Sequence, residues 1–189
     1  MDFKEQRKEV AYFMKRLYKK GLTTCSGGNI SSRLDDETIL ITPSQKDKAN
    51  LEAHDIGIIN IKGDNHTLDI KLSMETQMHL EIYKARADVK AIIHAHPTYA
   101  SSYAIAGKKI NSRITDETHI ILGEIAYAPY NKSGSKELAI DVSKHLSELN
   151  VIVLEKHGVL TVGKTLFDSF NRIEILESAA KLNFLSKNI

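Results

Sequence analysis

Three histidines have the spacing and local sequence that a metal site requires. His94 and His96 are separated by one residue at the end of a β-branched run, so a strand would direct both side chains to the same face. His157 precedes Gly158 in a predicted tight turn, where the backbone can approach a ligand closely. Three neutral imidazoles leave one coordination position open, which is typical of catalytic zinc. The alternative interpretation is a partly buried, hydrogen-bonded histidine pair and an ordinary turn residue.

Glu75 stands at the start of a predicted helix, upstream of the histidine pair. A carboxylate at this position commonly does no more than interact with the helix dipole. Beside a metal ion it gains a second use, because a carbonyl bound to the metal acidifies its neighbouring C–H or O–H group. A carboxylate within reach can then take that proton.

Residues 26–29, Ser-Gly-Gly-Asn, offer a hydroxyl group, an amide and exposed backbone N–H donors. A concave loop of this kind suits an anion, and phosphate in particular. The loop is not a Walker motif, because no Gly-Lys-Ser or Gly-Lys-Thr follows at the needed spacing. An ordinary Gly-Gly connection is the alternative.

Other reactive side chains have no such setting. Cys25, the only cysteine, excludes an internal disulfide and is interpreted as a small core residue rather than a nucleophile. Neither a Gly-x-Ser-x-Gly elbow nor a Gly-x-Gly-x-x-Gly loop is present. Further histidines are interpreted as surface or helix-face residues: His54, His66, His79 and His145.

Hydrophobic periodicity predicts the elements that must position these residues. Helices are predicted over residues 10–18, from a cap at Ser73 to residue 85, from Pro97 onward, over 136–149, and from a cap at Thr165 to the end of the chain. Strands are predicted at 38–42, 57–61, 68–70, 89–94, 120–122, 126–128, 151–155 and 159–162, and residues 26–32 are predicted to form a loop. This order favours one domain, residues 1–189, with a sheet layered between helices.

Composition excludes several classes of protein. The hydrophobic fraction of 42% and the charged fraction of 26% are ordinary for a globular domain. A net charge of +2, with lysine and arginine spread along the chain, gives no reason to expect nucleic acid. No apolar stretch approaches the roughly 18 residues that span a membrane. We therefore expect a cytoplasmic protein without a membrane partner.

Taken in order, several short motifs resemble the class II aldolase and adducin family, and within it the type that cleaves fuculose 1-phosphate. These motifs are Ser-Gly-Gly-Asn-Ile-Ser (26–31), Ile-Thr-Pro-Ser (41–44), Ser-x-Glu (73–75), His-Ala-His-Pro (94–97), Ala-Pro-Tyr (128–130) with Gly134, and His-Gly (157–158). The resemblance implies a three-layer α/β/α sandwich around a mainly antiparallel sheet, assembled as a homotetramer. It also implies cleavage of a ketose 1-phosphate to dihydroxyacetone phosphate and an aldehyde.

The resemblance assigns roles to individual residues. His94, His96 and His157 correspond to the zinc ligands, for which manganese or cobalt would also suit. Glu75 corresponds to the catalytic acid/base. The positions that correspond to substrate and phosphate binding are Ser26, Gly28, Asn29, Ser44 and Ser73.

The chain also departs from the pattern of this type. Met74 replaces a second serine and Gln45 replaces a glycine, both in the expected phosphate pocket. A tyrosine that acts as an acid from a neighbouring subunit has no counterpart near Thr115, and Glu117 is the best nearby substitute. An epimerase is disfavoured, because residues 120–121 are both isoleucine where an aspartate is expected.

Three alternatives to an aldolase stay open. The same fold serves sugar-phosphate dehydratases and decarboxylases, and adducin-like members use it as a binding module without catalysis. A binding module would not need three histidines and the glutamate together, so we expect an enzyme.

Overall fold

The computed structural model describes residues 2–187 and residue 189. Helices form where apolar side chains recur at helical spacing, and capping residues set several of their ends. The helices are α1 (Lys4–Lys19), α2 (Thr76–Ala85), α3 (Thr98–Ala106), α4 (Asp116–Leu122), α5 (Lys136–His145) and α6 (Leu166–Leu185), with a short 3₁₀ turn at Ala53–Asp55. Thr165 caps α6, as predicted, and the structure adds a reciprocal hydrogen bond with Asp168.

Seven strands form one sheet: β1 (Asn29–Arg33), β2 (Thr38–Ile41), β3 (Gly57–Asn60), β4 (Ala91–Ala95), β5 (Ala126–Ala128), β6 (Val151–Leu154) and β7 (Gly158–Gly163). Their order is β3-β2-β1-β4-β7-β6-β5, and every neighbouring pair except β5–β6 is antiparallel. One face packs against α1, α3, α4 and α6, and the other against α2 and α5. This confirms the three-layer α/β/α sandwich with a mainly antiparallel sheet.

Three predicted elements were wrong. Residues 29–33 form β1 rather than a loop, because pairing with both β2 and β4 outweighs the turn preference of asparagine and serine. Residues 68–70 lie in a turn, where Leu68 is 87% exposed and has no core to pack against. Residues 120–122 belong to α4, which Thr115 caps together with Thr118.

The sheet brings residues from distant parts of the chain together at its centre. β1 lies directly beside β4, and the register sets Asn29 opposite His94. Ser31 and Ile92 form the pair two residues further along these strands. Because side chains alternate along each strand, both point toward the face of the sheet that α2 and α5 cover.

Among the described residues, no helix is both long and apolar enough to cross a membrane.

Candidate metal centre

The three predicted metal ligands meet at one end of the central strands. His94 is the fourth residue of β4 and is fully buried, His96 follows just after that strand, and His157 lies in the turn between β6 and β7. Nε2 of His94 is 2.9 Å from Nε2 of His96. One ring nitrogen from each histidine lies within 4.8 Å of those of the other two. The structure therefore brings together three nitrogen atoms that could hold a metal ion.

The turn that carries His157 depends on close backbone packing. Lys156 has a positive φ of 55°, and Gly158 follows as the first residue of β7. A Cβ atom on Gly158 would lie 2.6 Å from the Ala95 carbonyl oxygen and 2.6 Å from Cδ2 of His96. Glycine is therefore needed here, because any side chain would push the turn away from the other two histidines.

The protonation state of His94 suits a ligand. Its Nδ1 is 2.9 Å from the Val159 carbonyl oxygen, which can only accept, so Nδ1 carries the proton. Nε2 consequently presents a lone pair toward His96 and His157. Burial lowers the pKa of His94 to about 3 and also lowers the pKa of His96, so both rings are neutral at pH 7. Three histidine nitrogens in this arrangement would fit a zinc ion well, and manganese and cobalt acceptably.

Glu75 lies against this cluster from the N-terminal end of α2. Oε2 is 3.2 Å from Nε2 of His94, and Oε1 is 3.1 Å from Nε2 of His157. Asn29 donates a hydrogen bond of 2.8 Å to Oε2. Burial alone raises the pKa of Glu75, but the hydrogen bonds from His157 and Asn29 lower it by more. The pKa of this carboxyl group is held below its ordinary value, so the resting group is an ionised base.

A cavity of about 330 Å³ opens onto the cluster. Glu75, His96 and His157 line it, and so do the predicted substrate-binding residues Ser26, Gly28, Asn29, Ser44 and Ser73. A larger cavity of about 520 Å³ lies between α1 and residues 52–54, but none of the three clustered histidines lines it. Side-chain chemistry rather than volume therefore singles out the cavity beside the histidines. The binding roles of its lining residues stay predictions.

The loop before β1 packs so closely against β4 that residue 28 must be a glycine. Gly28 has a φ of +65°, which residues with a side chain disfavour, and a Cβ atom there would lie 2.8 Å from the His94 carbonyl oxygen.

Ser73 accepts a hydrogen bond of 3.2 Å from the Glu75 backbone N–H. It is thus tied to Glu75 and does not cap α2, whose N-cap residue is Glu75 itself.

Sequence reasoning missed several residues of this site. Lys48 lines the cavity although it is only 1% exposed, and Ser133 Oγ lies 3.4 Å from Nε2 of His157. His79, interpreted from the sequence as a surface or helix-face residue, lies on the inner face of α2 and is fully buried behind Asn29. Its helical spacing with Met78, Ile82 and Tyr83 on the buried face of α2 was the available signal. Cys25 is exposed rather than in the core.

Glu117, the predicted additional acid, does not line this cavity within one chain. It is exposed in the first turn of α4, which packs against α6. Any part that it plays in the reaction would require a neighbouring subunit, so its role stays a prediction.

The site combines three imidazoles with an adjacent carboxylate, at the strand ends of this sandwich. This combination defines a metal-dependent enzyme of the class II aldolase type. The chain belongs to the class II aldolase and adducin family: the model of the Class II Aldolase and Adducin N-terminal domain matches residues 8–184. Within that family it is an enzymatic lyase rather than a binding module alone.

Relatives with two kinds of reaction are similar to this chain. An L-fuculose phosphate aldolase from Methanococcus maripaludis (strain C7 / ATCC BAA-1331) is 35% identical over 92% of this chain and 93% of the relative. A 3-oxo-tetronate 4-phosphate decarboxylase from Pectobacterium atrosepticum is 31% identical over 95% of this chain and 84% of the relative. A solved structure of an L-fuculose 1-phosphate aldolase matches with a TM-score of 0.88 and 32% identity, over 97% of this chain and 87% of that one.

Proposed function

We propose that this protein is a zinc-dependent aldehyde-lyase that cleaves a ketose 1-phosphate of the fuculose phosphate type. The products are dihydroxyacetone phosphate and an aldehyde. The observation that carries the proposal is the contact of one buried carboxylate, Glu75, with two of three converging histidines at 3.1–3.2 Å. The similarity to L-fuculose phosphate aldolases supports the substrate class.

The residues of the cavity support a phosphorylated substrate. Lys48 is buried, and its Nζ donates to the Pro43 carbonyl oxygen at 2.6 Å. Within residues 2–187 and 189, no carboxylate lies within ion-pair distance of it, so its charge is available to an anion. Burial lowers the pKa of Lys48 to about 8, which leaves the amine mostly protonated at pH 7. The Lys48 cation would compensate for the serine hydroxyl group that is absent from the expected phosphate pocket because residue 74 is methionine.

Glu75 moves the proton in the proposed reaction. In cleavage, the C3–C4 bond breaks, the C4 hydroxyl loses its proton, and that oxygen becomes the aldehyde carbonyl. The electron pair stays on the three-carbon fragment as an enediolate. Glu75 takes up a proton from water and delivers it to C3, which balances the proton lost from the C4 hydroxyl. In the condensing direction, ionised Glu75 removes that C3 proton. Zinc held by His94, His96 and His157 supplies Lewis acidity toward the substrate carbonyl.

We place this activity in a cytoplasmic homotetramer. The single free cysteine, Cys25, is exposed and fits a reducing compartment. Glu117 is exposed and lies outside the cavity of its own chain, which fits a donor that reaches a neighbouring subunit. It is the candidate for the group that handles the C4 hydroxyl proton.

A second candidate function is decarboxylation of a keto-acid sugar phosphate. The similarity to 3-oxo-tetronate 4-phosphate decarboxylases favours it. The same centre would stabilise the enolate left when carbon dioxide departs, and Glu75 would protonate the carbon. No comparable observation favours a dehydratase.

Elemental analysis and product analysis test the proposal together. We expect about one zinc per chain, with dihydroxyacetone phosphate released from a panel of ketose 1-phosphates. Carbon dioxide released from 3-oxo acid phosphates, without cleavage of ketose phosphates, would establish the second candidate instead. A protein without metal after reconstitution would contradict both.

A further inference from the structure

A continuous row of buried polar side chains leads from Glu75 into the layer between the sheet and α2. Asn29 Nδ2 is 2.8 Å from Oε2 of Glu75, and Asn29 Oδ1 is 2.6 Å from Nε2 of His79. On the other side of that ring, Nδ1 is 2.7 Å from Oγ of Ser31, which lies 2.8 Å from the hydroxyl group of Tyr83. None of the five side chains belongs to a residue more than 7% exposed.

Elementary chemistry sets the direction of every hydrogen bond in this row. The Asn29 amide nitrogen faces Oε2 of Glu75 at 2.8 Å and donates to it. The amide oxygen then faces His79 and can only accept, so Nε2 of His79 carries the ring proton. Burial lowers the pKa of His79 to about 3, so the ring is neutral and Nδ1 accepts from Ser31. Ser31 accepts in turn from Tyr83.

Two rigid elements hold the row in place. Asn29 and Ser31 are alternate residues of β1 and point to the same face of the sheet. His79 and Tyr83 are four residues apart on α2 and lie one helical turn from each other. Their side chains interleave from strand and helix, and Glu75 is the N-cap residue of the same helix. The amide of Asn29 therefore has little freedom to rotate.

We propose that His79, with Ser31 and Tyr83 behind it, is a positioning residue that holds the Asn29 amide with its N–H group toward Glu75. In the flipped orientation, the amide oxygen would face the carboxylate and repel it. The row would thereby keep the Glu75 carboxylate aimed at the reacting carbon. His79, Ser31 and Tyr83 do not line the cavity, so they act through Asn29 rather than on the substrate. This inference rests on the proposed role of Glu75 in moving the proton.

Two substitutions at His79 separate positioning from simple structural support. The amide nitrogen of glutamine reaches about as far as Nε2 of histidine, whereas that of asparagine does not. In zinc-loaded enzyme, His79→Asn should lower kcat about tenfold or more with little change in KM, because a hydrogen bond near a charged group is lost. His79→Gln should recover most of kcat, and the half-exposed control His145→Asn should match wild type. Equal kcat losses in both His79 variants, with zinc and fold retained, would overturn the proposal.

A spectroscopic measurement addresses the row without relying on turnover. In zinc-loaded wild-type protein, ¹⁵N-labelled histidine spectra should show His79 neutral, with its proton on Nε2, from pH 6 to 8. Tyr83→Phe should shift the Nδ1 resonance, because Ser31 then loses its donor. A charged ring, or a proton on Nδ1, would overturn the assigned direction. If wild type cleaves no substrate in the panel, the proposed function fails. These spectra then decide by themselves whether the hydrogen bonds of the row run in the assigned direction.

Discussion

Nε2 of His94 lies 3.2 Å from Oε2 of Glu75, and both residues are almost completely withdrawn from solvent. The two atoms belong to different elements, since His94 is in β4 and Glu75 begins α2. The fold thereby brings a candidate metal ligand and a candidate base into contact. Several consequences can be measured.

Removing one ligand should remove the metal. We expect His94→Ala to lose stoichiometric zinc, because the two remaining imidazoles are too few for a three-ligand site. Elemental analysis after dialysis measures this directly, with the exposed His54→Ala as the matched control. A His94→Ala protein that keeps one zinc per chain would contradict the ligand assignment.

Neutralising the base should abolish turnover while leaving the metal in place. Glu75→Gln keeps the size of the side chain but removes the proton acceptor, so we expect kcat to fall by a factor on the order of 10² or more. Zinc content should stay near one per chain, since the histidines are untouched. The control is Glu9→Gln, on the exposed face of α1. Activity near that of wild type would exclude Glu75 as the acid/base.

Removing the buried cation should weaken binding of phosphorylated substrates specifically. Lys48→Met retains the length of the side chain, and we expect KM to rise about tenfold to a hundredfold, as for a lost hydrogen bond to a charged group. Inhibition by inorganic phosphate should weaken in parallel. Lys46→Met, in the same loop but exposed, is the control. An unchanged KM, or an equal rise for unphosphorylated sugars, would rule out a phosphate contact.

Stability of metal-depleted protein should fall as the pH is lowered, in part because of His79. Its pKa is about 3 in the folded protein and roughly 6.5 when unfolded, so between these values only the unfolded chain binds the proton. This group therefore lowers the free energy of unfolding by up to about 1.4 kcal/mol per pH unit below pH 6.5. Urea denaturation at pH 5 to 7 should show a shallower dependence in His79→Gln, but not in exposed His54→Gln. Parallel curves for His79→Gln and wild type would contradict the prediction.

Local sequence predicted most helices and every strand except β1, because their apolar patterns are strong. It failed at β1, where Asn29 and Ser31 have turn-forming side chains and Ile30 alone carries an apolar signal of the buried strand. Their polar groups are satisfied by His79, Tyr83 and Glu75, which are distant in sequence. A strand whose stability comes from such partners leaves little trace in its own residues.

The sequence by itself determined the ligand types, the acid/base candidate, the family resemblance and the layered fold, since these depend on residue identity and periodicity. Only the tertiary structure decided which polar residues are buried together. His79 had the appearance of one more helix-face histidine and Lys48 of one more surface cation, yet both are enclosed beside the site. Burial and the direction of a hydrogen bond depend on neighbours from other elements, and no local window of sequence contains them.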